Sequence, residues 1–158
     1  MIPGWILVVA LVVAVAVVLG MWLSGLANRL NRLHIRTDSA RINLEGALRA
    51  RSSVVAALRP DLSTEAGHAS TVALRASDMD ARSGAENRLL RELTDSERRN
   101  PAFIEASTKV DLAARFYNDA VGDTREVRGR PVVRLFRLAG KAPLPEYYEA
   151  LSAGDDEL

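Results

Sequence analysis

His34 and His68 are the only imidazoles in this 158-residue chain, and it contains no cysteine. Neither histidine has a second His at i+4 or an HExxH context, so the spacing that places two nitrogen ligands on one helix face is missing and no metal site is expected. Both read as surface residues. Carboxylates gather at Asp78/Asp80 and at Asp155/Asp156/Glu157. Such pairs can hold Mg²⁺ or share a proton, but the first reads as a helix end and the second as a solvated tail. The ten glycines form no phosphate loop leading to Lys-Ser or Lys-Thr, and no G-x-S-x-G elbow presents a nucleophile. Arg125, Arg128, Arg130, Arg134 and Arg137 make a basic cluster able to meet phosphate. Only Phe136 is interleaved with them, so stacking on nucleobases is unsupported, and acidic lipid or protein is the more natural target. These residues predict no catalytic group, no cofactor, no metal, no small-molecule substrate and no nucleic acid.

The elements that must carry these side chains divide the chain between two solvents. Charged residues make up 26% of the whole, with 21 Lys and Arg against 20 Asp and Glu, yet the first 25 or so residues carry none of them. Residues 5–22 read WILVVALVVAVAVVLGMW. As a helix this run spans about 27 Å, the thickness of a hydrocarbon core. Lipid offers no partner to a backbone N–H or C=O, which forces the helix despite the many β-branched valines. Trp5 and Trp22 stand at its two ends, where indoles favour the bilayer interface. The run lacks a basic n-region and exceeds the usual length of a signal peptide's apolar core, so it reads as an uncleaved anchor.

Arg29, Arg32, Arg36 and Arg41 follow the run within about 20 residues, the zone where positive charge resists translocation. The expected topology is a single pass in the cell membrane, with the N-terminus outside and the body cytoplasmic. Residues 27–59 hold seven Arg against Asp38 and Glu45, a net of +5, which also favours anionic headgroups.

The composition is Ala-, Leu- and Arg-rich with 5% aromatics, and predicts an all-α fold. Leu26, Leu30, Leu33, Ala40, Leu44, Ala47, Val54 and Leu58 keep a 3-4 spacing, with Thr37 and Arg51 as exceptions. The membrane helix therefore continues into the body as a rod, with Gly20, Ser24 and Gly25 as the place for a bend, and Pro60 ends it. Leu62, Ala66, Ala69, Ala73 and Ala76 predict a second helix, stopping around residues 78–82. Ser83 and Glu86 fit a capping box that would start a third. Asn100-Pro101 is another start signal, for a helix burying Phe103, Val110, Ala114, Tyr117 and Val121. Whether residues 98–100 break or kink the rod stays open. Pro131 opens a short helix closed by Gly140, after which Tyr147 and Tyr148 lay a proline-rich segment back onto the body. The expected organisation is an anchor (1–25), an antiparallel bundle of three to four long helices (26–121), a C-terminal short helix and loop packed on it (122–150), and an acidic tail (151–158).

The run AARFYNDAV at residues 113–121 resembles the Arg, Tyr, Asn and Val signature of LemA-family proteins. Residues 131–149, PVVRLFRLAGKAPLPEYYE, are similar to that family's closing pattern of proline, apolar stretch, proline and a Tyr-Phe-Glu-like ending. Leu44-Glu45 and residues 48–51 resemble its first body segment, and Glu97 to Pro101 its turn before the last long helix, with Asn100 in place of the usual Tyr. Compared with the family pattern, about a dozen residues are missing between Leu58 and His68 and a similar number between Pro101 and Phe116. Shortening two adjacent helices by about three turns each truncates one end of an antiparallel bundle. The resemblance implies an anchor with its N-terminus outside, a cytoplasmic helical body and no established enzymatic activity. Arg115, Tyr117 and Asn118 become candidates for an interaction or structural motif, the leading expectation being a non-enzymatic scaffold or signalling accessory with a protein partner or self-association. A structural coiled-coil protein with an extracytoplasmic body, oligomerising through the stripe of residues 26–58, is the alternative.

Overall fold

The computed structural model describes residues 3–149, so the acidic tail expected at 151–158 lies outside the described residues. Helix α1 runs unbroken over Gly4–Leu58, about 80 Å at 1.5 Å per residue. No break occurs at Gly20, Ser24 or Gly25. Arg59 and Pro60 end it as expected: Arg59 leaves the α region at φ −131°, ψ 83°, and a 3-10 turn Pro60–Leu62 follows. Helices α2 (Ser63–Thr71), α3 (Asp80–Arg91), α4 (Asp95–Arg98), α5 (Pro101–Gly129) and α6 (Pro131–Leu135) complete the order. No strand occurs among the described residues.

The all-α expectation and the long apolar N-terminal helix hold, while the bundle is simpler than three to four long rods. Two helices are long, α1 and α5, and the others have 12 residues or fewer. The two long helices run antiparallel. Thr37 meets Thr124, Leu44 and Leu48 share a cluster with Val110, Ala114 and Tyr117, and Val55 shares another with Phe103. Along the body half of α1, a single stripe is buried: Leu30, Thr37, Leu44, Leu48, Arg51, Ser52 and Val55.

The two polar exceptions within the stripe are thus inside it. Thr37 is tolerated because its hydroxyl is bonded to Leu33 O at 2.9 Å and to the Thr124 hydroxyl at 3.0 Å, and a buried polar group so bonded avoids the desolvation penalty. α5 outlasts the expected boundary at residue 121. Residues 122–129 are polar in composition, yet Thr124 and Val127 are buried against α1 while Asp123, Arg125 and Glu126 face out.

The middle of the chain departs further. α2 stops at Thr71, so Ala73 and Ala76 lie in an irregular loop, residues 72–79. Ser83 and Glu86 form no capping box: α3 begins at Asp80, and both side chains are buried inside it. The reciprocal box stands instead at Thr94 and Glu97, with Thr94 N donating to Glu97 Oε2 at 2.7 Å. It starts α4 and separates α3 from α5. Asn100 caps α5 as expected, its Oδ1 accepting from Ala102 N at 2.9 Å ahead of Pro101. α6 stops at Leu135, short of the expected closure at Gly140; turns follow, and Gly140, at φ 59°, redirects the chain five residues further on, a conformation that costs glycine no Cβ clash.

The α1–α5 seam predicts a sharp contrast between two substitutions. Leu44→Ala, at a fully buried position, is expected to lower stability by about 2–5 kcal/mol. Arg36→Ala, which removes an ion pair to Asp123 with both partners about half exposed, should cost about 0–1 kcal/mol. Thermal unfolding followed by circular dichroism in detergent micelles measures both.

Candidate functional site

The three motif candidates on α5 part company. Tyr117 is fully buried, Asn118 half-buried, and Arg115 and Phe116 exposed. Tyr117 and Asn118 hold the C-terminal segment 142–149, a strap that runs back along α5. Asn118 acts like one residue of a neighbouring strand: its Nδ2 donates to Tyr148 O at 3.0 Å, and its Oδ1 accepts from Tyr148 N at 2.8 Å. Tyr117 Oη donates to Glu146 O at 2.9 Å.

Arginines of α5 complete the fastening. Arg125 donates to Pro145 O, and Arg128 donates to Pro143 O and Ala142 O. Pro143 and Pro145 have no N–H to satisfy, which suits a segment held to α5 through the carbonyls of Ala142, Pro143, Pro145, Glu146 and Tyr148. Arg125 also stacks over Tyr147, 5.4 Å from the ring centre. On the other edge Glu146 N donates to Ala76 O at 2.7 Å, joining the strap to loop 72–79.

Beneath the strap lies a buried ionic group whose importance the sequence did not reveal. Arg51 of α1 and Arg82 of α3 both meet Glu86, at 3.3 and 2.9 Å, with side chains no more than 3% exposed. Arg82 Nη1 also donates to Ser70 O and Val72 O, meeting carbonyls left open where α2 ends. Two guanidiniums share one carboxylate, and removing one partner from such a buried set is worth about 3–5 kcal/mol. Tyr148 packs over them. Arg51 interrupts the stripe of α1, and Arg82 and Glu86 stand at i,i+4 spacing, a signal the capping-box reading of Ser83 and Glu86 passed over; neither spacing states that the three side chains meet.

The four arginines that follow the apolar run also separate. Arg41 is turned inward: its Nη1 donates to Leu74 O at 3.0 Å, and Asp38 and Glu45 lie within ion-pair distance. Arg36 is paired to Asp123 at 2.6 Å. Arg29 and Arg32 are exposed and make no side-chain bond with the described residues. Trp5 and Trp22 are exposed at 66% and 54%, on either side of an apolar stretch with no buried residue. That part of α1 is long and apolar enough to cross a membrane.

No group of three or more His, Asp or Glu side chains that could hold a metal ion occurs among the described residues. His34 Nδ1 lies 2.9 Å from Leu30 O one turn back, and His68 is exposed beside an open cleft between α2 and α3. Asp78 and Asp80 flank the start of α3, where a carboxylate favours the helix N-terminus. No known protein family, curated protein or solved structure matches this chain.

The site chemistry is therefore fastening, and two measurements test it. Asn118→Ala leaves the Tyr148 amide and carbonyl without partners and is expected to cost about 1–3 kcal/mol. Because strap release exposes the segment after Lys141, limited trypsin digestion should cut there several times faster; an unchanged rate would show that the strap does not rely on Asn118. The second concerns alkali. Burial pushes both phenols, Tyr117 and Tyr148, up to about 12. Between pH 10 and pH 12 the unfolded chain gives up these protons while the folded chain keeps them, so stability falls as pH rises through that window. Tyr117→Phe should flatten part of the fall in a denaturant titration across it.

Proposed function

We propose that this is a single-pass membrane protein of LemA type, non-enzymatic, whose body stands on the cytoplasmic side as a scaffold or signalling accessory. The observation that carries the reading is α1 itself: one helix whose first part buries nothing and whose second part is the spine of a packed body. A helix shared in this way couples the body to whatever solvent holds the apolar half, and a hydrocarbon layer is the solvent that suits it. The basic side chains following Trp22, with Arg29 and Arg32 making no side-chain bond to the described residues, favour the cytoplasmic orientation.

For a partner surface, the outer face of α5 is the best support. Leu112 and Phe116 are 53% and 58% exposed, one turn apart and beside Arg115. Aromatic and Arg side chains so placed are those enriched at protein contacts. The apolar stripe of α1 is a weaker candidate for self-association, because α5 and α3 already cover it within one chain. The LemA resemblance rests on the same segments that the fold fastens together, Tyr117-Asn118 and the closing Tyr147-Tyr148-Glu149, so the motif reads as the two halves of one clamp.

Reporter fusions to the C-terminus test the topology. Activity of a reporter that works only in the cytoplasm is expected; strong activity of an export-dependent reporter, with none in the cytoplasm, would reverse the orientation and favour the extracytoplasmic alternative.

A further inference from the structure

We infer that the corner between α5 and α6 is a second membrane contact, in which Leu135 and Phe136 enter the interfacial layer while Arg134 and Arg137, with Arg29 and Arg32 of α1, bind the phosphates of anionic lipids. The inference rests on the reading that the apolar part of α1 lies in a bilayer.

Position is the first argument. Val127 and Val133 are buried against Leu30, and Leu26, Leu33, Leu138 and Ala139 pack around them. Leu26 and Leu33 stand about 6 and 17 Å beyond Trp22 along α1 at 1.5 Å per residue. The headgroup region on each side of a bilayer is about 5–8 Å thick, so the corner is held at or just above it. A tilt of α1 of about 20°, ordinary for a single span, towards α5 brings it down.

Chemistry is the second. Leu135 is 77% exposed and Phe136 46% exposed on adjacent residues, although the α1–α5 seam next to them offers apolar cover. Arg134 and Arg137 make no ion pair or side-chain hydrogen bond with the described residues. Together with Arg125 and Arg128 they line an open cavity of about 540 Å³ closed on its apolar side by Val133 and Leu144. Arg125 and Arg128 are committed to strap carbonyls, which leaves the outer pair to meet an anion. Arg137 holds a positive φ of 50°, a strained conformation for a non-glycine residue. The strap leads away from this end, its contacts passing from Arg128 to Asn118. Exposed apolar side chains flanked in sequence by Arg134 and Arg137, whose side chains have no partner among the described residues, are complementary to a negatively charged interface beside a membrane span.

The absence of cysteine makes the test direct. The full-length chain carrying Leu135→Cys, Val15→Cys or Arg99→Cys is labelled with a fluorophore and placed in bilayers of phosphatidylcholine, with or without phosphatidylglycerol, containing lipids quenched near the top of the acyl chain. The label at residue 135 should be quenched several-fold more with phosphatidylglycerol than without it, the label at 15 quenched in both, and the label at 99 in neither. About 0.5 M salt should remove most of the difference at residue 135. Arg134→Glu with Arg137→Glu should reduce the lipid-bound population at least about tenfold, with helicity unchanged. Loss of quenching at residue 135 while the label at 15 stays quenched overturns the second contact and leaves the anchor standing. Loss at both positions overturns the anchor as well. If millimolar inorganic phosphate abolishes the phosphatidylglycerol dependence at constant ionic strength, the corner is a site for soluble anions and the membrane contact is rejected.

Discussion

The antiparallel seam between α1 and α5, from Leu30 and Val127 at one end to Val55 and Phe103 at the other, is the contact on which every other element of the body rests. α1 is the spine, and among the described residues α5 is the only other helix long enough to cover its body half. Helices rich in Ala, Val and Leu can approach closely, and here the seam is dominated by such side chains, with Tyr117 of α5 and Tyr148 of the strap as the large aromatics of its central cluster. α2 and α3 cover the remaining flank of α1 near the far end, and the strap closes the gap between α5 and the loop of residues 72–79. Each of these smaller pieces is too short to be a stable helix or strand by itself. They hold position because the seam gives them a surface.

Polar groups inside this body do positional work. Arg82 reaches the carbonyls of Ser70 and Val72, Arg41 that of Leu74, and Glu146 joins Ala76 and Met79. A loop packed against the strap, with Leu74 and Met79 buried, needs partners for its backbone, and two arginines and Glu146 supply them. Arginine suits the task because several donors on one planar group can reach more than one carbonyl. The same logic explains the strap, whose carbonyls are met by Arg125, Arg128, Tyr117 and Asn118.

Much of the fold was legible as periodicity and punctuation. The 3-4 spacing of residues 26–58, the stop at Pro60, the Asn100-Pro101 start and the Pro131 start are local signals that correspond to the observed boundaries, whereas the helix that Pro131 opens ends at Leu135 rather than at Gly140. The misreadings also have local causes. Ser83-x-x-Glu86 and Thr94-x-x-Glu97 are the same pattern, and only burial distinguishes them: Glu86 is drawn inward by two arginines, one of them 35 residues away, whereas Glu97 stays near solvent and closes the box. The Ala-rich stretch 73–76 has good helix propensity, but the carbonyls of Leu74 and Ala76 are claimed by Arg41 and Glu146, and that of Val72 just before it by Arg82, so tertiary bonds replace the helical ones. Polar residues 122–129 looked like the end of α5 because one face of a helix was averaged with the other.

By itself the sequence determined what depends on near neighbours and on solvent: a charge-free run long enough to span lipid, helices where apolar residues recur at helical spacing, and caps where Asn, Pro and Gly stand. Tertiary structure decided which arginines are free. Arg29 and Arg32 remain exposed, while Arg36 and Arg41 are taken by Asp123 and by Leu74, Asp38 and Glu45. Tertiary structure also decided that Tyr117 and Asn118 face a strap and that Phe116 faces outward. Adjacent residues on a helix point about 100° apart, and which direction is inside depends on where a distant segment of the chain comes to rest.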